Sequence, residues 1–508
     1  MMMTKHLNDL REYLNELSKI NEVQPIDQEV DLFLEAGAII RRSYDLKAPA
    51  PLMSNLKYKN TKLNNGLRVL GASAGASRQP KLFLTRVAIS LGLEPDATSQ
   101  EIIEALVKLQ CSTPIKPEIV STGPCKENIF LGEKVDLEQL PAPQINQNDG
   151  GRYLNTFGTI VAKSVDGQWV NWGIARIMLL DKKRCVANVV PGQDTRKIQE
   201  EWFSQGKNMP VAIFQGGPPV IPFVSGMGVP SGVSERDLIG GYLGHPLQLV
   251  KCETVDLEVP ATAEIVIEGE FSATEKAMEG PMGEFSGSIC LASKNYNPVI
   301  NVSAISYRNE GILPVVAGGY PIEENHSCWA LGMSSKIYAD LKNAGLPVTQ
   351  CFIPFESAVH WLVITVDRNY IWHKKNRGKY SINTLIDEFK KVLFKIKPAI
   401  WMTKILIMAD DIDASNINDV VWAFATRCHP DQHLLFPNED LPMPLVGFLS
   451  DAEKKSLKCP KIIYNCLRPE TWSKEEIPTP AKFETNWPKD IQEKVLKNWS
   501  EYGYTDLL

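Results

Sequence analysis

The stretch MEGPMGEFSG, residues 278–287, sets two glutamates, Glu279 and Glu284, among Met278, Met282 and Phe285. Carboxylates placed among side chains that seek burial must be paired or protonated. Five positions separate the two acids, which fits neither one strand face nor one helix face, and Gly280, Pro281 and Gly283 rule out a regular helix. A turn must therefore fold them together. Arg176, between Ala175 and Ile177 in WVNWGIAR, is the natural counterion, because an arginine in an apolar strand is costly to bury without a carboxylate. Taken alone, it would suit a strand edge equally well, with its head reaching solvent. Two acids around one arginine make an acid/base device if their environments diverge. The acid beside the cation stays ionised, while the one against apolar walls keeps a proton it can donate.

Two further segments bear on this chemistry. Asn171 and Arg176 are five apart, so a regular strand sends them to opposite faces; if both serve one site, Gly173 is the place for a bulge or a close backbone approach. In QGGPPVIPFVSGMGVPSGVSERDLIGGYLG (215–244), a Gly/Pro-rich loop feeds a helix whose start is marked by Ser234 and Asp237 at capping-box spacing. Free N–H groups at such a start suit an anion. Glu235, in the first turn, either compensates the helix dipole or holds a cation that bridges to a bound phosphate. The G-x-x-x-G of LRVLGASAGASRQP (67–80) lacks dinucleotide spacing and lends a dinucleotide fold little support.

The elements that must position these groups change texture along the chain. Residues 1–110 read as helices with short strands between them. The first helix carries Leu7, Leu10, Leu14 and Leu17 on one face, and a second spans 29–42. From about 150 to 320 the pattern is β-rich. TIVAKSVDGQWVNWGIARIMLL reads as a hairpin closed by a two-residue primed turn at Asp166-Gly167, followed by strands at 263–271, 298–307 and 312–319. Many short strands with few helices favour a barrel or sandwich over a doubly wound sheet. Beyond 330 the pattern is α/β, with a buried strand in TKILIMADDID (403–413) before the helix NDVVWAFATR. A last helix after Pro488 carries Ile491, Val495 and Trp499 on one face, which must dock on its own core or on a partner subunit.

Composition narrows the class. A chain of 508 residues has room for roughly three domains at ~150 residues each. A net charge of −6 leaves no global footprint for nucleic acid or an anionic membrane, and the basic run HKKNRGK (373–379) reads as a solvated loop. The ten cysteines form no C-x-x-C pair and read as reduced thiols of a cytoplasmic protein. The N-terminus has no apolar h-region, and no apolar run reaches the ~20 residues needed to span a bilayer.

Five motifs occur in order: STGPCKENIF (121–130), DLEQLPAPQINQNDGGRYLNTFGTIV (136–161), NWGIAR (171–176), EGPMGEFSG (279–287) and DDID…VVWAFATR (410–427). With them the chain resembles the UbiD-type decarboxylases over nearly its whole length, most of all the branch of ferulic and phenylacrylic acid decarboxylases. The resemblance implies an α/β multidomain fold: an N-terminal α/β region (1–115), a central split β-barrel flavin-binding domain (116–325), an α/β oligomerisation domain (326–450), and a C-terminal segment with its docking helix (451–508). It implies reversible, non-oxidative decarboxylation of an aromatic or α,β-unsaturated acid with prenylated FMN, supplied by a flavin prenyltransferase and held with Mn²⁺ or Mg²⁺ and K⁺ in a homodimer. Neighbouring readings are a decarboxylase of a hydroxybenzoate or heteroaromatic acid and a flavin-binding relative without turnover.

By position, the resemblance makes Glu284 the proton donor, Arg176 the cation that orients the substrate carboxylate, and Glu279 the residue that tunes both. Asn171 and Glu235 match metal ligands. Asp194 stands in PGQD where the branch carries the histidine of PPQH, and a hard aspartate oxygen suits Mn²⁺ or Mg²⁺. Trp172, Val224, Ser225 and Met227 match the positions around K⁺. Gly173, Ile174, Gln193, Gly226 and Lys397, with Ser225 and Met227 again, match cofactor contacts. Gly318 replaces a cysteine of fungal relatives beside the cofactor, and Asn188, Phe285, Asn325 and Met443 are pocket-lining candidates that differ from the ferulic-type pattern.

Overall fold

The computed structural model describes residues 5–291, 294–370, 381–441, 445–469 and 471–504. The basic run 373–379 and Met443 lie outside them. The chain opens with the helix Leu10–Lys19, capped by the Asp9 carboxylate, which accepts from the Glu12 N–H at 2.7 Å. Leu7, Leu10, Leu14 and Leu17 are all buried, packed with Tyr13 against Ala50, Leu70, Ile89 and Ile312. The stripe is therefore a core face, as its spacing requires.

The second helix begins later than its periodicity suggests. Residues 29–31 belong to the strand Val23–Asp31, and the helix is Glu35–Asp45. That strand pairs in parallel with Ala50–Tyr58, and the sheet continues through Arg68–Gly71 to Ile312–Val315. The last of these comes from far along the chain and ties the N-terminal region to the central one.

The central sheet has nine strands and is antiparallel throughout. Its path runs Tyr153–Asn155, Ile177–Leu179, Arg184–Ala187, Asn295–Tyr307, Ala263–Glu279, Met209–Gly216, Thr159–Lys163, Val170–Gly173, with Asn128–Leu131 added on Asn295–Tyr307. It curls into a half-barrel around Ile160, Ile213, Ile265, Ile267 and Phe271, all buried. The strands are not uniformly short: Ala263–Glu279 has 17 residues and Asn295–Tyr307 has 13. A register irregularity between Phe271 and Lys276 bends the pair where its burial falls away. The Asp166-Gly167 hairpin is present with a wider turn. Lys163 pairs with Val170, Ser164 N–H reaches Trp169 O, and the loop is Val165–Gln168 with Gly167 in the left-handed region.

The C-terminal unit is a five-stranded mixed sheet ordered Val348–Phe352, Trp361–Val366, Lys404–Ala409, Lys458–Asn465, His433–Asp440. It takes in residues past 450. The expected strand is buried at Ile405, Leu406, Ile407 and Met408, and the helix Ile417–Arg427 follows it. The final helix, Lys489–Lys497, buries none of its side chains, and Ile491 is 39% exposed. Its stripe does not dock on this chain's own core. All ten cysteines are free, and no helix of the described residues is long and apolar enough to cross a membrane.

Candidate active site

A cavity of about 970 Å³ opens at the edge of the half-barrel, within the range of small-molecule sites. Arg176 and Glu284 meet in its wall, with Glu279 directly behind. Glu279 ends the long strand Ala263–Glu279, and the Gly/Pro turn after it brings Glu284 back toward Arg176. The Arg176 guanidinium grips Glu279 with two bonds, Nε to Oε1 at 2.8 Å and Nη2 to Oε2 at 3.0 Å, and its Nη1 bonds Glu284 Oε1. This fork is the geometry in which arginine is strongest. Tyr153 Oη donates to Glu279 Oε1 at 2.9 Å, so the fully buried Glu279 is held from two sides. Glu284 shares the same guanidinium but is less enclosed. Its side chain is 18% exposed, toward the cavity, and burial raises its pKa, with Arg176 pulling it back down and Glu279 raising it further. Burial works against the Arg176 charge, but the Glu284 and Glu279 carboxylates outweigh it. Both acids thus share one cation, Glu279 by two bonds in the interior and Glu284 by one at the cavity face, where burial gives it a reason to hold its proton.

The strand expected to run through WVNWGIAR stops at Gly173 and resumes at Ile177. Residues 174–176 leave the ladder, which lets Asn171 and Arg176 line the same cavity despite their odd spacing. The close approach expected at Gly173 is there: a Cβ on it would lie 2.7 Å from Thr195 Oγ1.

Asn171, Asp194 and Glu235 line one end of this cavity, and all three are buried. Ser234 precedes the helix Glu235–Leu243 but makes no side-chain cap bond, so the capping box is not formed. Glu235 points inward instead, and its Oε2 accepts from the Trp172 N–H at 2.8 Å. Burial pushes its carboxyl up to about 8, and the nearby Asp194 charge adds to this. Asp194 begins the helix Asp194–Ser204; its Oδ1 accepts from Lys197 Nζ at 2.6 Å and Ser231 Oγ at 2.9 Å, and Lys397 Nζ lies 3.8 Å from its Oδ2. Asn171 Nδ2 donates to Thr195 Oγ1 at 2.9 Å, which leaves its carbonyl oxygen as the free ligand atom. Among the described residues no three His, Cys, Asp or Glu side chains converge, so a cation here relies on the Asn171 amide beside the two carboxylates. That donor set is hard oxygen, and a buried carboxylate with a second close by calls for positive charge. The residues fit a divalent cation such as Mn²⁺ or Mg²⁺.

The other candidates are distributed as follows. Val224, Ser225, Gly226 and Met227 sit on a short helix, Ile221–Met227, that interrupts the expected loop, and Ser225 Oγ lies 3.1 Å from Thr159 Oγ1. Trp172 is fully buried, edge-on to Phe214, and contributes backbone to the site. Gln193 spans two loops, donating to Ile174 O and accepting from Val190 N–H, both at 3.1 Å. Ile174, Lys397, Gly318, Asn188, Phe285 and Asn325 all line the cavity. At Gly318 a Cβ would approach Gly283 O to 2.9 Å, so this backbone pair is closer than a side chain allows.

The sequence reading missed an aromatic wall and a polar cluster behind it. Phe285 packs edge-on to Trp329 at 5.0 Å, and Trp329 packs on Trp401 at 5.3 Å. Trp329 ends a π-helical turn, Asn325–Trp329, that also carries Asn325 and His326; such turns frequently mark functional sites. Behind it lie Glu323 and Glu324, fully buried, each pushed up to about 7 by burial, and His326, pushed down to about 4 for the same reason. The adjacent acids and histidine in EENH were the available signal.

Three family models match this chain, those of the 3-octaprenyl-4-hydroxybenzoate carboxy-lyase N-terminal domain (14–106), Rift-related domain (118–321) and C-terminal domain (326–464). The chain is similar to a pyrrole-2-carboxylic acid decarboxylase of Pseudomonas aeruginosa, 35% identical over 510 residues, covering 99% of this chain and 100% of that one. It is equally similar to ferulic acid decarboxylase 1 of Saccharomyces cerevisiae, 35% identical over 505 residues and 98% of each chain. The fold is shared with the UbiD-class enzyme HmfF of Pelotomaculum thermopropionicum. In its complex with FMN the TM-score is 0.77 at 21% identity over 94% of this chain and 98% of that one; in an evolved dimeric form with prFMN it is 0.73 at 21% identity over 93% and 97%.

Proposed function

The chain belongs to the UbiD family of carboxy-lyases and is a decarboxylase of aromatic or α,β-unsaturated carboxylic acids; from that premise we propose that it works through bound prenylated FMN, with Glu284 as proton donor, Arg176 orienting the substrate carboxylate and Glu279 holding Arg176. The observation that carries this reading is the Arg176 fork, closed on a buried Glu279 and reaching a cavity-facing Glu284. When bound, prenylated FMN supplies the electron sink on which the bond to CO₂ breaks. Arg176 presents positive charge to the acid, Glu284 delivers a proton where the carboxyl group left, and the Phe285, Trp329 and Trp401 wall excludes water.

In this reading Asn171, Asp194 and Glu235 would hold a divalent cation, Mn²⁺ or Mg²⁺, which would offset the cofactor's negative charge. Oxygens at Trp172, Val224, Ser225 and Met227 would receive K⁺, and Gly173, Ile174, Gln193, Gly226 and Lys397 would contact the cofactor. Asp194→Ala is expected to lower bound Mn²⁺ at least about tenfold, the scale on which metal-site neighbours act. Metal analysis showing unchanged Mn²⁺ would make Asp194 a bystander held by Lys197 and Ser231. A flavin prenyltransferase supplies the cofactor. The open stripe of Lys489–Lys497 docks on a second copy to give a homodimer, and the ten free cysteines suit the cytoplasm.

A specific contact favours an acid that can donate a hydrogen bond. Asn325 lines the cavity, and its Nδ2 is committed to Glu323, 3.1 and 3.0 Å from its two oxygens, which leaves Oδ1 as its uncommitted acceptor. A ring N–H or O–H satisfies it, as in a heteroaryl or hydroxyaryl acid; a plain cinnamate leaves it unpaired. Loaded enzyme assayed for CO₂ release against pyrrole-2-carboxylate, hydroxybenzoates and cinnamates tests both points. No decarboxylation or deuterium exchange on the whole panel would end the proposed reading. Asn325→Leu is expected to cut kcat/KM about tenfold for the donor-bearing acids and not for cinnamate; equal loss for both classes would remove Asn325 from recognition.

A further inference from the structure

Glu284 lies in a turn with few internal ties. Its N–H reaches Ser288 O at 3.1 Å, and Gly287 N–H returns to its carbonyl at 3.0 Å. A proton donor must nevertheless be held to a fraction of an ångström, since a displacement of about 1 Å can cost about a hundredfold in rate. The missing restraint comes from a different part of the chain. His326 Nε2 lies 2.8 Å from the carbonyl oxygen of Phe285, the residue directly after Glu284. The Phe285 carbonyl can only accept, so Nε2 carries a ring proton and donates to it, while Nδ1 faces the Glu323 N–H at 3.1 Å and Glu323 Oε1 at 3.2 Å.

The histidine stands on a rigid base. Ser327 Oγ donates to Ala74 O at 2.6 Å, Ala74 N–H donates to Glu324 Oε1 at 3.1 Å, and Tyr44 Oη bonds Glu324 Oε2. The π-helical turn is thereby fastened to the N-terminal region on both sides of His326. On the other flank of Glu284, Gly150 N–H holds Pro281 O at 2.8 Å, and the Asp149 carboxylate next to Gly150 is itself held by the Asn146 N–H at 2.8 Å. Glu284 is thus suspended between two anchored neighbours, and its own side chain is free to face Arg176 and the cavity.

We propose that His326 is a positioning residue for the decarboxylation: by holding the Phe285 carbonyl it sets the Glu284 carboxyl at the geometry for proton delivery. This inference rests on reading Glu284 as the proton donor. Supporting groups placed on rigid elements are what keep a reacting side chain in register.

The test compares His326→Phe, which cannot donate to Phe285 O, with His326→Gln, whose amide can. Deuterium exchange of a peptide covering 281–289 is followed in the cofactor-free protein, and kcat and KM in the loaded enzyme. In His326→Phe, exchange of 281–289 is expected to quicken about tenfold while that of strand 404–409 stays unchanged, because only a local opening is made easier. In the same variant kcat is expected to fall about ten- to a hundredfold with KM within about twofold. His326→Gln is expected to restore both readouts to within about threefold of the parent. Unchanged exchange in His326→Phe, or a quickening spread evenly along the chain, would overturn the proposal. So would a His326→Gln variant as impaired as His326→Phe. If His326→Phe does not fold, His326→Gln decides alone: near-parental exchange and kcat support the role, and a loss beyond about tenfold removes it. The two ideas fail separately, because turnover retained by Glu284→Gln would sink the donor assignment without altering the exchange result.

Discussion

Glu284→Gln is expected to lose about a thousandfold or more in kcat while its flavin spectrum and metal content stay at the parent's level, the scale on which a positioned general acid contributes. The amide matches the carboxyl in size and can still face Arg176 Nη1 through its oxygen, so the turn and the Arg176–Glu279 fork have no reason to move. What is lost is a transferable proton. Burial raises the Glu284 pKa ahead of the opposing pull of Arg176, so the protonated form survives to higher pH than in a free carboxyl group. Turnover therefore falls on the alkaline side as that proton is lost. The measurement is CO₂ release alongside the absorption spectrum and metal analysis of the same preparation. A variant that keeps near-parental rates would mean that water or another group supplies the proton. A variant that loses its flavin would mean that Glu284 serves binding and not chemistry.

The parts of this site that were legible in the residues are those with strong local chemistry. Glycine and proline between two acids dictate a turn, and an arginine in an apolar run demands a partner. The helix Leu10–Lys19 and the strand Lys404–Ala409 were legible because their apolar patterns match their burial. Other features depend on contacts that no local pattern encodes. Val23–Asp31 is polar, contains Pro25 and is mostly exposed, so only its parallel partner Ala50–Tyr58 makes it a strand. The break at 174–176 cannot be read from WVNWGIAR, because its cause is the close packing of Gly173 on Thr195 and the pull of two distant carboxylates on Arg176. Ser234 and Asp237 have capping-box spacing, yet Glu235 turns inward and the cap bond is absent. Trp329 lines the cavity and His326 stands behind it on a π-helical turn, an irregularity that a 3.6-residue reading does not anticipate.

Arg176→Ala is expected to destabilise the protein by about 3–5 kcal/mol as well as abolish turnover, because it strands a fully buried carboxylate. Glu279 would keep only the Tyr153 hydroxyl as a polar partner on that side, and one neutral donor does not replace a two-bond guanidinium. The two consequences can be separated. Adding Glu279→Gln to Arg176→Ala removes the stranded charge, so the melting temperature should recover much of its fall. Turnover should not recover, because nothing then orients the substrate carboxylate. Scanning calorimetry and CO₂ release on the parent, both single variants and the double variant make the comparison. If the double variant melts as low as Arg176→Ala, the instability lies in lost packing and not in an unpaired Glu279. If Arg176→Ala alone retains turnover, the substrate carboxylate is held elsewhere in the cavity, by one of the other cations of its lining, Arg196, Lys276 or Lys397.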